Sequence, residues 1–282
     1  PLFDLLRAED PVHWCAQMNL WLVTGYDDCF NGLRDDRFSS DRTDMYVQAL
    51  SDEMRERVQP LLDHISKWIQ LTDDPVHTRL RKLVNVAFTP KMIRSLIPRI
   101  EELVDGLLDE IKPGDSCDLI TQFCQPLPAT VICEMLGIPV EERDAFRVMT
   151  ERVMHFSTAG GPNLKNHAED AADALGGLID MFERLVAERR KSPREDLLSA
   201  FVQAEADGER LSNEELYAMC VFVFLAGHET TTNGIASGVM ALMQHPDQFD
   251  ALKANVDGLV RGTVEESLRY ESPVTRAVRK AR

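Results

Sequence analysis

Residues Phe224 to Gly234, FLAGHETTTNG, place a histidine, a carboxylate and three threonines inside a long apolar run. A carboxylate next to a hydroxyl can hold and pass protons to a molecule bound beside them. The segment is expensive if it serves structure alone. Gly227 weakens a helix by about 1 kcal/mol relative to alanine, and the β-branched threonines add smaller penalties. A buried Glu229 would need a partner to offset its desolvation. A threonine hydroxyl can bond the carbonyl four residues back, which for Thr230 is that of Ala226, and such bonds bend helices. Gly227 beside it leaves room for a flat group to approach the backbone. The expectation is a widened helix turn lined by one hydroxyl and one carboxylate. Two readings compete with this. HETTT resembles the zinc signature HExxH, but Thr232 stands where the second histidine belongs. A buried polar network that only fixes helix packing is the plainer alternative.

Two further pairs have chemical spacing. In EESLRYESPV, Glu266 and Arg269 lie at i, i+3 and share a helix face. Taken alone they read as a surface ion pair of little energetic weight. In DDPVHTRLRKL, His77 and Arg81 lie at i, i+4 and point the same way. Alone, His77 reads as an ordinary helix histidine.

These residues must be carried by helices. The run bearing Glu229 begins at SNEE, a capping box of Ser212 and Glu215, and continues to Gln244, where His245-Pro246 stops it. At 1.5 Å per residue it spans about 45 Å. From Tyr217 to Ala226 it is apolar on nearly all sides, as a central buried helix must be. Pro75 to Phe88 reads as a basic helix with Leu80, Leu83, Val84 and Ala87 on one face. Thr89 then caps a helix opened by Pro90 and ended near KPGD. Leu119 to Pro139 reads as a buried helix interrupted by two prolines and closed by Gly137. EDAADALGGLIDMFERLVAERRKSP is amphipathic and basic at its end. Gly160 and Gly161 mark a loop. WLVTGYDD is a short strand candidate followed by a short helix. The fold class expected is mainly α, with a long central helix and a few short β-strands, in one domain over residues 1–282.

The chain has 282 residues, with Lys plus Arg 31 against Asp plus Glu 47, a net charge of −16. Such acidity disfavours nucleic acid, and no apolar run is long enough to span a membrane. The cysteines, Cys15, Cys29, Cys117, Cys124, Cys133 and Cys220, form no CxxC pair and suit a reducing cytoplasm. The first residue is Pro1, and PVTRAVRKAR at the end begins to alternate as a strand with no evident partner. The expectation is a fragment, incomplete at both ends.

Together, in order and spacing, the motifs resemble those of the cytochrome P450 family, the haem-thiolate monooxygenases. Ala226-Gly227-His228-Glu229-Thr230 matches the family's oxygen-binding helix, Glu266 and Arg269 its Glu-x-x-Arg pair, and His77 and Arg81 its His-x-x-x-Arg. Flanking text such as DRFSSDR, PREDLLSAFV and MQHPDQ agrees, and the likeness is to the soluble bacterial members. The resemblance implies haem b with its iron as cofactor, O2 as co-substrate and insertion of one oxygen atom into a small apolar organic substrate. It implies that Thr230 steadies iron-bound dioxygen and that Glu229 feeds it protons. It places His77, Arg81 and Arg279 on the haem propionates, Ala226 and Gly227 against the haem, and Phe222, Leu225 and Val274 in the substrate pocket. Glu266 and Arg269 would be structural. None of the six cysteines has the surroundings of the family's iron ligand, so the axial cysteine is expected beyond Arg282. The alternative is a helical binding protein, or a degenerate member unable to ligate iron. From His77 to Arg99 the basic residues Arg79, Arg81, Lys82, Lys91, Arg94 and Arg99 meet no acidic one. Such a run suits docking of an acidic ferredoxin-type electron donor or merely solvates two helices.

Overall fold

The computed structural model describes residues 2–48, 50–112, 114, 116–158 and 164–282. Gly160 and Gly161 lie outside them. The chain divides into two compact units, residues 1–42 with 278–282, and residues 43–277.

The first unit holds α1 (Leu2–Glu9), the hairpin strands β1 (Val12–Cys15) and β2 (Leu20–Val23), α2 (Tyr26–Gly32), β3 (Phe38–Ser39) and β4 (Lys280–Ala281). The hairpin is antiparallel with Trp14 opposite Trp21, whose rings lie 5.3 Å apart. The terminal alternation expected to lack a partner has one: β4 pairs antiparallel with β3, Phe38 opposite Ala281. A pairing over some 240 residues leaves no local signal that a sequence pattern can reveal.

The second unit is helical. It runs through α3 (Thr43–Gln48), α4 (Asp52–Arg57), α5 (Gln59–Ile65), α6 (Val76–Ala87), α7 (Pro90–Asp109), α8 (Pro126–Leu136), α9 (Arg143–Thr158), α10 (Leu164–Lys191), α11 (Leu197–Gln203), α12 (Asn213–Gln244), α13 (Pro246–Ala254) and α14 (Val256–Tyr270). The long central helix is α12, and both halves of its expected capping box are present around Ser212 and Glu215. Thr89 caps α7 as expected, accepting from the Met92 N–H. The proline-rich segment is a π-turn, Ile120–Cys124, leading into α8, and Gly137 ends α8 at φ 70°.

Six consecutive residues of α12, Leu216 to Val221, are buried. They meet an aromatic ladder in which Phe146 of α9 packs edge-on to Phe182 of α10 (5.8 Å) and to Phe224 of α12 (4.9 Å). Edge-to-face geometry adds to the area that such rings already bury.

Among the described residues of this unit, one arginine is buried. Arg189 of α10 is 1% exposed. Its Nε donates to Asp196 at 2.6 Å and an Nη to the Gly137 carbonyl at 2.9 Å. Asp196 also accepts from the Ser199 N–H and so caps α11. One guanidinium therefore ties the ends of α8, α10 and α11. Removing one partner of a buried pair strands the other charge. Asp196→Ala should accordingly lower the unfolding free energy by about 3–5 kcal/mol, against less than about 1 kcal/mol for removing Asp250 from its exposed pair with Lys253. Chemical denaturation distinguishes the two; equal losses would contradict the clamp.

Candidate active site on the central helix

α12 is unbroken α-helix from Asn213 to Gln244. The hydroxyl of Thr230 donates to the Ala226 carbonyl at 2.6 Å, the back-bond that the spacing implied. The widened turn expected from it is absent, because a hydroxyl can add to a carbonyl that keeps its own helical N–H donor. Glu229 is exposed, not buried, so no desolvation cost has to be offset. Ala226 is exposed and Thr230 half-exposed, and the three share one side of the helix.

The opposite side is buried, and it holds residues whose part the sequence did not reveal. His228 is 6% exposed and Thr232 6%. The His228 ring lies 5.2 Å from that of Phe224. Burial lowers the His228 pKa, partly offset by the Glu151 carboxylate and by the Gln125 backbone, so the imidazole is held neutral. The Thr232 hydroxyl lies 3.0 Å from the Cys124 carbonyl across the helix interface. Gly227 faces α8: a Cβ there would sit 2.7 Å from the Ile132 Cδ1 methyl. The space that the glycine frees is thus filled by Ile132. Close approach of two helices explains Gly227, where the expectation was room for a flat ligand.

The three apolar positions expected in a substrate pocket differ from one another. Phe222 and Leu225 are half-buried and pack on the core, with the Phe222 ring 6.0 Å from Trp68. Val274 is 57% exposed. It follows α14, which lies against the small residues of the C-terminal half of α12: Ser267 faces Gly238, and Leu268 and Pro273 face Gly234. Glu266 and Arg269 form a two-bond ion pair of 2.6 and 2.7 Å on the exposed side of α14. The pair holds the Glu266 carboxyl below its usual range and raises the arginine.

On α6 the basic residues have different surroundings. Arg79 is paired with Glu215 and lies 3.5 Å from Glu209, and Lys82 is 2.7 Å from Asp207. Arg99 of α7 bonds Glu134 and Glu102, each at 2.9 Å. Half of the basic run is therefore already neutralised, which the sequence concealed because every partner but Glu102 lies far along the chain. Arg81, Lys91 and Arg94 are exposed and have no carboxylate partner among the described residues. His77 is half-buried, its Nδ1 3.9 Å from Asp74. Arg279 belongs to the first unit, and its guanidinium donates to the adjacent Val278 carbonyl at 2.9 Å.

The cysteines Cys124, Cys133 and Cys220 are buried, and burial raises all three thiols, Cys133 to about 12. These are core residues, not thiolates.

α12 thus carries an acid and an alcohol on its exposed side, and α6 carries an arginine with no carboxylate partner among the described residues. The cytochrome P450 family model matches residues 43–280, and the chain belongs to that family. Among its relatives, the cytochrome P450 monooxygenase PikC of Streptomyces venezuelae is 41% identical over 286 residues, covering 98% of this chain and 64% of PikC. The polyketide biosynthesis cytochrome P450 PksS of Bacillus subtilis is 38% identical, covering 95% of this chain and 65% of PksS. The crystal structure of P450BioI with an acyl carrier protein ligated to hexadec-9Z-enoic acid superposes with a TM-score of 0.86 at 30% identity, covering 99% of this chain and 70% of that one. The chain thus spans less than two thirds of the length of these curated relatives.

The Gly227 contact can be tested by stability. Gly227→Ala brings a helix-propensity gain of about 1 kcal/mol, set against displacement of the Ile132 methyl. Combined with Ile132→Val, which shortens that side chain, the alanine should stabilise by most of this amount relative to Ile132→Val alone. A thermal melt reports it; no gain in the shortened background would contradict the packing role.

Proposed function

We propose that the complete protein is a haem-dependent monooxygenase that inserts one atom of O2 into a small apolar organic substrate. Bound haem supplies the oxygen activation. The observation that carries the reading is the Thr230–Ala226 hydrogen bond beside solvent-exposed Glu229.

The residues present fit such a cofactor at its acidic edge. Three cations lie close together on α6, and Arg79 and Lys82 have carboxylate partners while Arg81 has none among the described residues. An unmatched guanidinium beside half-buried His77 is what an anionic propionate requires. Ala226 leaves the exposed side of α12 without a bulky side chain at this turn. Iron ligation falls to none of the cysteines described above, whose buried thiols are held protonated.

The proton chemistry follows from α12. The Thr230 hydroxyl gives its proton to the Ala226 carbonyl and so offers its lone pairs to a donor such as water. Releasing Ala226 frees the same O–H to donate to a bound molecule instead. Glu229 stands open to solvent on the same side of the helix, where its carboxyl group can relay a proton to that hydroxyl. Phe222, Leu225 and Val274 contribute apolar surface for the substrate, and Glu266 with Arg269 braces α14. The enzyme of this proposal is cytoplasmic; no helix of the described residues is long and apolar enough to cross a membrane.

Thr230→Ala should leave haem binding intact and divert electrons from product to hydrogen peroxide. The peroxide formed per electron consumed measures this, and unchanged coupling would remove Thr230 from its role.

Electrons come, in this proposal, from an acidic ferredoxin-type donor docking on the unmatched cations of α7. Lys91→Gln with Arg94→Gln should slow reduction, most strongly at low salt. Lys82→Gln should do much less, since Asp207 already offsets that charge. Stopped-flow reduction at two salt concentrations decides; equal effects of the two changes would rule out this docking face.

A further inference from the structure

The side of α12 that faces away from the reaction explains how the reaction side is aimed. In the segment Gln125-Pro126-Leu127-Pro128 the prolines have no N–H. In an α-helix the carbonyl of Cys124 would accept from residue 128, which is proline. That carbonyl is therefore left without its helical donor, and Cys124 is fully buried. The preceding π-turn, closed by the Gln125 N–H on the Ile120 carbonyl at 2.9 Å, brings it against α12. The Thr232 hydroxyl reaches it at 3.0 Å and lies 2.9 Å from the carbonyl of His228 in its own helix. One hydroxyl proton serves two acceptors. The His228 carbonyl already receives the Thr232 N–H of the helix, whereas the Cys124 carbonyl has no second donor among the described residues. The cost of a buried unpaired acceptor directs the proton to Cys124.

Thr232 follows Thr230 by two residues, about 200° around the helix. Fixing Thr232 inward therefore points Ala226 and Thr230 outward. Gly227, in contact with Ile132, adds a second point of close approach on the same interface.

We propose that Thr232 is a positioning residue: its hydrogen bond to the carbonyl freed by Pro128 sets the rotation of α12 and so aims the Thr230 hydroxyl. The aiming role rests on the monooxygenase reading; the bond itself does not.

The test uses the haem-loaded full-length protein and two readouts, amide hydrogen exchange over residues 226–232 and peroxide formed per electron. Thr232→Val keeps the shape and removes the hydroxyl. It should speed exchange by about fivefold or more and raise the peroxide fraction, while Thr232→Ser keeps both near the parent. Pro128→Ala gives the Cys124 carbonyl an N–H donor of its own, so in that background Thr232→Val should have little further effect on exchange. Unchanged exchange in Thr232→Val, or the same increase with and without Pro128, overturns the bond as a lock. Faster exchange with unaltered peroxide overturns the aiming role. Thr230→Ala measured in parallel separates the two readings: if it too leaves peroxide unchanged, the monooxygenase assignment of Thr230 has failed; if it raises peroxide, only the role of Thr232 has.

Discussion

Everything in the larger unit depends on how α12 is held. Its N-terminal half is buried on every side, from Leu216 to Val221, and the aromatic ladder of Phe146, Phe182, Tyr217 and Phe224 fixes it against α9 and α10. Its C-terminal half is different. There one side approaches α8 and α14 through Gly227, Gly234 and Gly238, and the other is open. A helix anchored by bulk at one end and by close approach at the other has little freedom to rotate. This gives direction to side chains that have no packing of their own, Glu229 above all.

The charges of α6 and α7 follow a similar division between holding and presenting. Arg79 joins Glu215, the residue that closes the capping box of α12, so the helix with the propionate candidates is tied to the start of the helix with the acid and the alcohol. Lys82 reaches Asp207 and Arg99 reaches Glu134. What remains is a smaller set of cations than the sequence displays. A free cation is informative only once its neighbours' partners are known, and all of those partners but Glu102 lie 35 to 136 residues away.

Much of the architecture was legible in advance because its signals are local. The Ser212 capping box, the Thr89-Pro90 helix start, the Gly137 stop and the extent of α12 all depend on residues within a turn of each other. The Thr230 back-bond is local too, and it is present. The pairing of β3 with β4, the exposure of Glu229 and the partners of Arg79 and Lys82 were not legible, since each depends on elements far apart in the chain. Gly227 and Thr232 lie between these cases. Both were visible as oddities in a helix, but the reason for them sits on α8 and the π-turn. The one clue was Pro128, whose missing N–H frees a carbonyl that some other group must satisfy.

The central claim is that α6 and α12 together frame a haem. Titration of the full-length apoprotein with haemin, followed by reduction under carbon monoxide, tests it most directly. The account predicts uptake of one haem per chain with the absorption spectrum of a thiolate-ligated carbonyl complex, and uptake weakened by Arg81→Ala. Failure to take up haem in stoichiometric amount, or a spectrum of histidine ligation, would contradict it.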